Sequence, residues 1–231
     1  MKNIFVLLLT IVFAASTAFA QKDENKRIEI AGQVMVEILN VPDDIPQELL
    51  DKASCVIVLP SVKKFAFGFG GSYGRGVMTC RSGKNFKGHW SAPTMMALEG
   101  GSFGLQLGGQ STDFVLLVMN NRGADSILSS KVKLGGDMAA AAGPVGRNAS
   151  ASTDIAMQAE ILSYSRSRGL FAGISLAGST LRPDNDGNER LYGKNISGQD
   201  IVINSKIPPP ASAKLLLSTL DKKSPRNMSG D

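Results

Sequence analysis

The chain has 231 residues, with 25 basic against 20 acidic side chains and a formal charge of +5. That length suits one domain and excludes a chain too short to bury a core. Glycine is abundant at 25 residues and aromatics make up only 6%, a composition that packs backbones closely rather than filling space with rings.

The first twenty residues read as a secretory signal. Lys2 supplies the charged start, Ile4 to Ala15 is apolar, and Ala18-Phe19-Ala20 forms a small-x-small cleavage site before Gln21. The apolar run is shorter than the ~20 residues a membrane span needs. Removing 1–20 takes away one lysine and leaves +4 on residues 21–231. Position 21 offers no cysteine for lipidation, and no later stretch is long and apolar enough to cross a bilayer. The expected location is periplasmic or secreted, with cleavage after Ala20.

Residues 21–53 form an amphipathic helical segment. Ile28, Ala31, Met35, Ile38 and Leu39 share one face, Lys22, Lys26 and Arg27 lie at its start, and Pro42 and Pro46 interrupt it before a short helix over Ile45 to Ala53. Such a helix either lies on a membrane or packs on its own domain, and packing is the expectation. From Cys55 the period changes. Cys55 to Leu59 is a continuous apolar strand ending at Pro60, and Phe65, Phe67 and Phe69 then alternate with small residues. Further strands are expected at 75–80, 86–90, 94–98, 102–107 and 114–119, a helix over Arg122 to Ser130, and strands at 153–165 and 170–181. Pro208-Pro209-Pro210 then leads into a helix over Ala211 to Leu220, with a disordered tail after Lys222, so that 206–231 is a Pro-rich turn, helix and flexible end. Twelve glycines fall between Gly68 and Gly109. The fold class is α+β: a single domain with a curved, glycine-rich, mostly antiparallel sheet flanked by helices.

Cys55 and Cys80 lie in predicted strands. In an oxidising compartment they form either one disulfide, if those strands are neighbours, or two buried thiols.

The motifs that suggest catalysis fail on their surroundings. Gly-x-Ser-x-Gly occurs around Ser72 and Ser102, but the hydrolase order places the histidine last, after an acid. The one histidine, His89, follows Ser72 with no acid between them and precedes Ser102. Glu99 and Asp113 are its nearest candidate acids along the chain. Gly143 to Arg147 lacks the Gly-Lys-Ser/Thr ending of a phosphate loop, and Asp184 to Glu189 lacks calcium-loop spacing and reads as a surface turn. His89, Cys55 and Cys80 lack zinc spacing. No enzyme, cofactor or metal is expected.

Charge gives the more specific signal. Between Ala53 and Leu98 no residue is acidic, whereas Lys63, Lys64, Arg75, Arg81, Lys84 and Lys87 all fall there, interleaved with Phe65, Phe67, Phe69, Tyr73 and Phe86. A basic and aromatic stretch of this kind points to an anionic surface, and export disfavours nucleic acid. The other reading is a set of solvated loop charges that never converge in space.

These residues also carry a family resemblance. Val58-Leu59-Pro60-Ser61-Val62, Gly74-Arg75-Gly76-Val77, Trp90-Ser91-Ala92-Pro93, Gly100 to Gly108, Gly143 to Arg147 and Ser163 to Gly173 resemble, in order, the SYLF domain over residues 28–205. The resemblance implies a non-catalytic lipid-binding module for phosphoinositides and other anionic phospholipids. Eukaryotic members join the domain to SH3 or FYVE modules, and some bind actin. This chain is similar to the stand-alone, exported bacterial type, for which phosphatidylglycerol or cardiolipin is the expected ligand and actin is not. In some members a basic N-terminal amphipathic segment contributes, and Lys22, Lys26 and Arg27 lie at a comparable place. The alternative function is an envelope structural or assembly protein that binds another protein.

Overall fold

A computed structural model describes residues 21–41, 45–67, 69–102, 110–146, 158–167 and 170–228, with side chains left aside at 64–67, 69–70, 101–102 and 110. The expected signal peptide lies outside the described residues, as does most of the strand expected at 102–107.

Helix α1 (residues 21–38) is followed by α2 (Gln47–Lys52). The face predicted from periodicity is the buried one, since Ile28, Ala31, Met35 and Ile38 are all fully covered. Among the described residues, no helix is long and apolar enough to cross a membrane. Four long strands follow: β1 (Cys55–Phe67), β2 (Phe69–Cys80), β3 (Thr94–Ser102) and β4 (Gln110–Val118). Then come α3 (Asn121–Ser129), β5 (Val132–Lys133), β6 (Ala140–Ala142), β7 (Ile161–Ser167), β8 (Leu170–Gly173) and β9 (Ser179–Pro183). The chain closes with α4 (Asn185–Tyr192), α5 (Gly198–Val202), a 3-10 turn at Ala211–Ala213 and α6 (Lys214–Lys223).

The nine strands form one curled sheet in the order β5-β9-β3-β2-β1-β4-β7-β6, with β8 added beside β7. Each pairing is antiparallel except β6 with β7. The expected α+β class holds. β1 and β2 are central, and each face of β1 has its own core. Val56 and Val58 pack with α1 and α6, whereas Ile57 and Leu59 pack with Phe114, Ile127 and Leu181 on the other side. Burial on both faces is why Cys55 to Leu59 reads as an unbroken apolar run.

The strand does not end at Pro60 as expected. β1 bulges there, with Ser61 at φ 52° and a register shift between Leu59 and Val62, and then continues to Phe67. Gly76 sits against this bulge, where a Cβ would overlap the Val58 carbonyl oxygen and the Leu59 backbone. Other expectations also need correction. Residues 86–90 form no strand, because the chain turns through Gly83 and Phe86 at positive φ, leaving one bridge between Arg81 and Trp90. The span 170–181 divides into β8 and β9. Asp184 to Glu189 is the start of a helix, with the Asp184 carboxylate accepting from the Gly187 N–H and Gly193 closing the far end at φ 69°. The described tail continues in place past Lys222 to Met228, with Ser224 and Asn227 buried.

Candidate functional site

β1 and β2 pair with a register that sets Lys63 against Tyr73, Lys64 against Ser72, Phe65 against Gly71 and Phe67 against Phe69, on either side of Gly68 in the sequence. β3 leaves the sheet at Ser102, the partner of Gly70, and β4 enters at Gln110, the partner of Lys64. The β7–β8 pairing closes at Ser167 and Leu170, at this same end. Those ends of β1, β2, β3, β4, β7 and β8 therefore lie at one end of the sheet. Lys63 is exposed there, and two large hydrophobics at this end stand open to solvent, Leu170 at 78% and Tyr73 at 47%.

The basic stretch does not stay together. Arg75 turns toward α1 and enters an ion network (Nη2 to Glu24 at 2.7 Å and Nε to Asp184 at 2.6 Å). Glu24 is 1% exposed and also accepts from Arg27 at 3.3 Å and Arg190 at 3.0 Å. Burial alone would lower the Arg75 pKa, but the hydrogen bonds to Glu24 and Asp184 outweigh it and hold the pKa above its ordinary value. This network ties α1, β2 and α4 together. The sequence reading did not find it, although Glu24 falls on the apolar stripe of α1, four residues before Ile28, where a carboxylate needs a partner.

Arg81 is buried completely, at the end of β2 away from Gly68. It stacks 4.2 Å over Trp90, and Nη2 donates to the carbonyl oxygens of Ser224 (2.7 Å) and Arg226 (3.0 Å). The Trp90 indole donates to the same Ser224 oxygen at 3.1 Å. Burial lowers the Arg81 pKa, opposed in part by the charges of Asp51 and Asp221. Lys84 and Lys87 are exposed in the turn that follows. The six cations thus separate into Lys63 and Lys64 at the Gly68 end, Arg75 in the network, and Arg81, Lys84 and Lys87 at the opposite end. Tyr73 and Arg81 are about 26 Å apart along the strand.

Cys55 and Cys80 are register partners on β1 and β2 and are joined as a disulfide. The two acids nearest His89 along the chain have other partners. Glu99 accepts from Arg182 at 2.9 Å, and Asp113 accepts from the Ser61 N–H at 2.8 Å. Ser72 lies within β2 opposite Gly100, where a Cβ would press on its hydroxyl, so this Gly-x-Ser-x-Gly element belongs to sheet packing.

A family model described as "Ysc84: Las17-binding protein actin regulator" matches residues 99–223. The chain belongs to the Ysc84 family, the SYLF-domain proteins. Among its relatives, an SH3 domain-containing protein of Schizosaccharomyces pombe is 34% identical over 191 residues, covering 81% of this chain and 43% of the relative. LAS seventeen-binding protein 3 of Saccharomyces cerevisiae is 31% identical over 191 residues, covering 81% and 40%. Human SH3 domain-containing YSC84-like protein 1 is 33% identical over 184 residues, covering 79% and 52%. The chain spans about half the length of these curated relatives. Within the Ysc84-family match lie β4, α3, α4 and α6, whereas the β1–β2 pair precedes it and falls only within the longer alignments to whole relatives.

Proposed function

We propose that this Ysc84-family chain is an exported, non-catalytic protein that binds anionic phospholipid at the Gly68 end of its sheet. One observation supports this above others. Exposed Lys63 lies at the end of the sheet where Tyr73 and Leu170 stand open to solvent, so positive charge and apolar surface are offered together. The same stretch of sequence also carries Lys64, Phe65, Phe67 and Phe69. Each basic side chain near an anionic membrane adds roughly 1 kcal/mol, and the apolar groups add what they bury. Residues 1–20 read as a cleaved signal give a periplasmic or secreted address, with phosphatidylglycerol or cardiolipin as the lipid. Las17 binding and actin regulation are named for the family model, and SH3 domains for the relatives. An exported chain does not meet actin.

Co-sedimentation with vesicles tests this reading. Phosphatidylglycerol vesicles are expected to bind the protein and pure phosphatidylcholine vesicles not to, with binding falling as salt rises. Lys63→Glu with Lys64→Glu weakens binding roughly tenfold or more, and Leu170→Asp weakens it further, whereas Lys84→Glu with Lys87→Glu leaves it unchanged. Equal binding to neutral vesicles, or loss only with the Lys84 and Lys87 pair, overturns the assignment. A protein that ignores both vesicle types is better read as an assembly protein.

A further inference from the structure

Two clefts open side by side at the end of the sheet away from Gly68, of about 470 Å³ and 530 Å³, and His89 lines both. The first is also bounded by Ser82, Trp90 and Lys206, the second by Lys87, Arg226 and Asn227. None of the described residues lining either cleft is acidic. Lys206 is paired with Asp200 at 2.8 Å outside them.

Arg81 stands directly behind both clefts. It stacks on Trp90 of the first and hydrogen-bonds the Arg226 carbonyl of the second. Its side chain is 0% exposed, its Nη2 meets only neutral oxygens, and its Nε and Nη1 find no acceptor among the described residues. A buried guanidinium with no carboxylate in contact is screened little by solvent and projects positive potential into the space beside it. His89, Lys87 and Arg226 add donors at the rim of that space.

We propose that the His89 cleft binds a phosphate oxyanion, with His89, Lys87 and Arg226 around the ligand and the charge of Arg81 behind it. Asp51 and Asp221 act on Arg81 through charge alone, with no hydrogen bond to it. A guanidinium that no carboxylate contacts, beside Lys87 and Arg226, favours a dianion, so the site takes inorganic phosphate or a phosphomonoester in preference to a phosphodiester. It is independent of the membrane-binding reading, because Lys63, Lys64 and Leu170 lie at the other end of the sheet. The shared chemistry has two sources, a soluble phosphate or a lipid headgroup, and they differ in this charge.

His89 is the only histidine in the chain, so its imidazole signals report on the cleft without ambiguity. The protein purified from an exporting host is titrated, at fixed ionic strength maintained with chloride, with inorganic phosphate in one arm and glycerophosphoglycerol in another. A saturable shift of the His89 signals with phosphate, at lower concentration than with the diester, is expected. Arg226→Ala keeps the backbone carbonyl that holds Arg81 and removes only an exposed side chain, so its melting temperature stays unchanged while phosphate binding weakens roughly tenfold. A response to phosphate no different from that to chloride overturns the site. So does an Arg226→Ala variant with unaltered affinity, and tighter binding of the diester overturns the preference for a dianion.

Discussion

Tyr164 shows at a single position how burial sets a protonation state. It is fully buried on β7, stacks on Phe171 with centroids 5.5 Å apart, and its hydroxyl finds no acceptor among the described residues. Burial disfavours the phenolate and pushes its pKa well above the ordinary value. The raised pKa gives a definite sign. The stability it contributes is fully present below the unfolded value of about 10 and is lost as pH rises through the folded value. Thermal midpoints measured between pH 8 and 11 are therefore expected to fall at the alkaline end, and Tyr164→Phe is expected to flatten part of that fall. At neutral pH the same variant holds or raises the midpoint, since it removes a buried hydroxyl without a partner. A lowered midpoint at neutral pH would mean that the hydroxyl is satisfied. The residue scale is also where charge counting along the sequence misleads. Arg75 and Arg81 belong to the same acid-free stretch as Lys63, yet one is neutralised by Glu24 and Asp184 and the other is buried under the tail. A linear run of charge carries no information about which face of a strand each residue takes, or about partners more than a hundred residues away.

Helix α1 shows what a sequence period can deliver and what it omits. The stripe from Ile28 to Ile38 identified the buried face, because helix geometry alone decides which residues share a side. What fixes the helix in place is Glu24, whose partners Arg75 and Arg190 come from β2 and α4. Replacing Glu24 by Gln leaves the shape but removes the charge facing three arginines. The expected loss is about 2–3 kcal/mol, below the ~3–5 of a fully buried pair because the arginines are partly exposed. Chemical denaturation checks this, and an unchanged midpoint would show that α1 is held by its apolar face alone. Strand reading succeeded where both faces are covered or where bulky and small residues alternate, as in β1, β2 and β4. It failed at 86–90, where Phe86 adopts φ 51°, a conformation its residue type gives no reason to expect. It failed again at Asp184 to Glu189, because a run of turn-forming residues and a capped helix start share the same composition.

Across the whole molecule, α1 and α6 share one core on the same face of the sheet, and polar contacts such as Ser212 to Asn25 and Lys223 to the Leu39 carbonyl join them. Residues 224–228 reach Arg81, Trp90, Phe86, Leu50 and Asp51, so the tail closes the gap between α2 and the end of β2. The separation of Lys63 and Lys64 from Lys84 and Lys87 to opposite ends of the sheet belongs to this scale, and the sequence did not show it, since both sets of lysines lie within one acid-free stretch. Ending the chain after Lys223 strips Arg81 of all three oxygens that its Nη2 meets and leaves a buried cation unsupported. The expected loss is about 3–5 kcal/mol, a fall in thermal midpoint of about 10 °C, followed by circular dichroism. A truncated chain that melts like the parent would assign the tail a passive role.

The Cys55–Cys80 bond lies at the end of the β1–β2 pair away from Gly68, so the two central strands form a closed covalent ring. When the chain is pulled from its termini, the load crosses through the sulfurs and bypasses everything between them. The proposed membrane-contacting tip is thus mechanically sheltered. A tug transmitted from an anchored neighbour extends the helices and outer strands, while the ring that carries Lys63 to Phe69 keeps its two ends together.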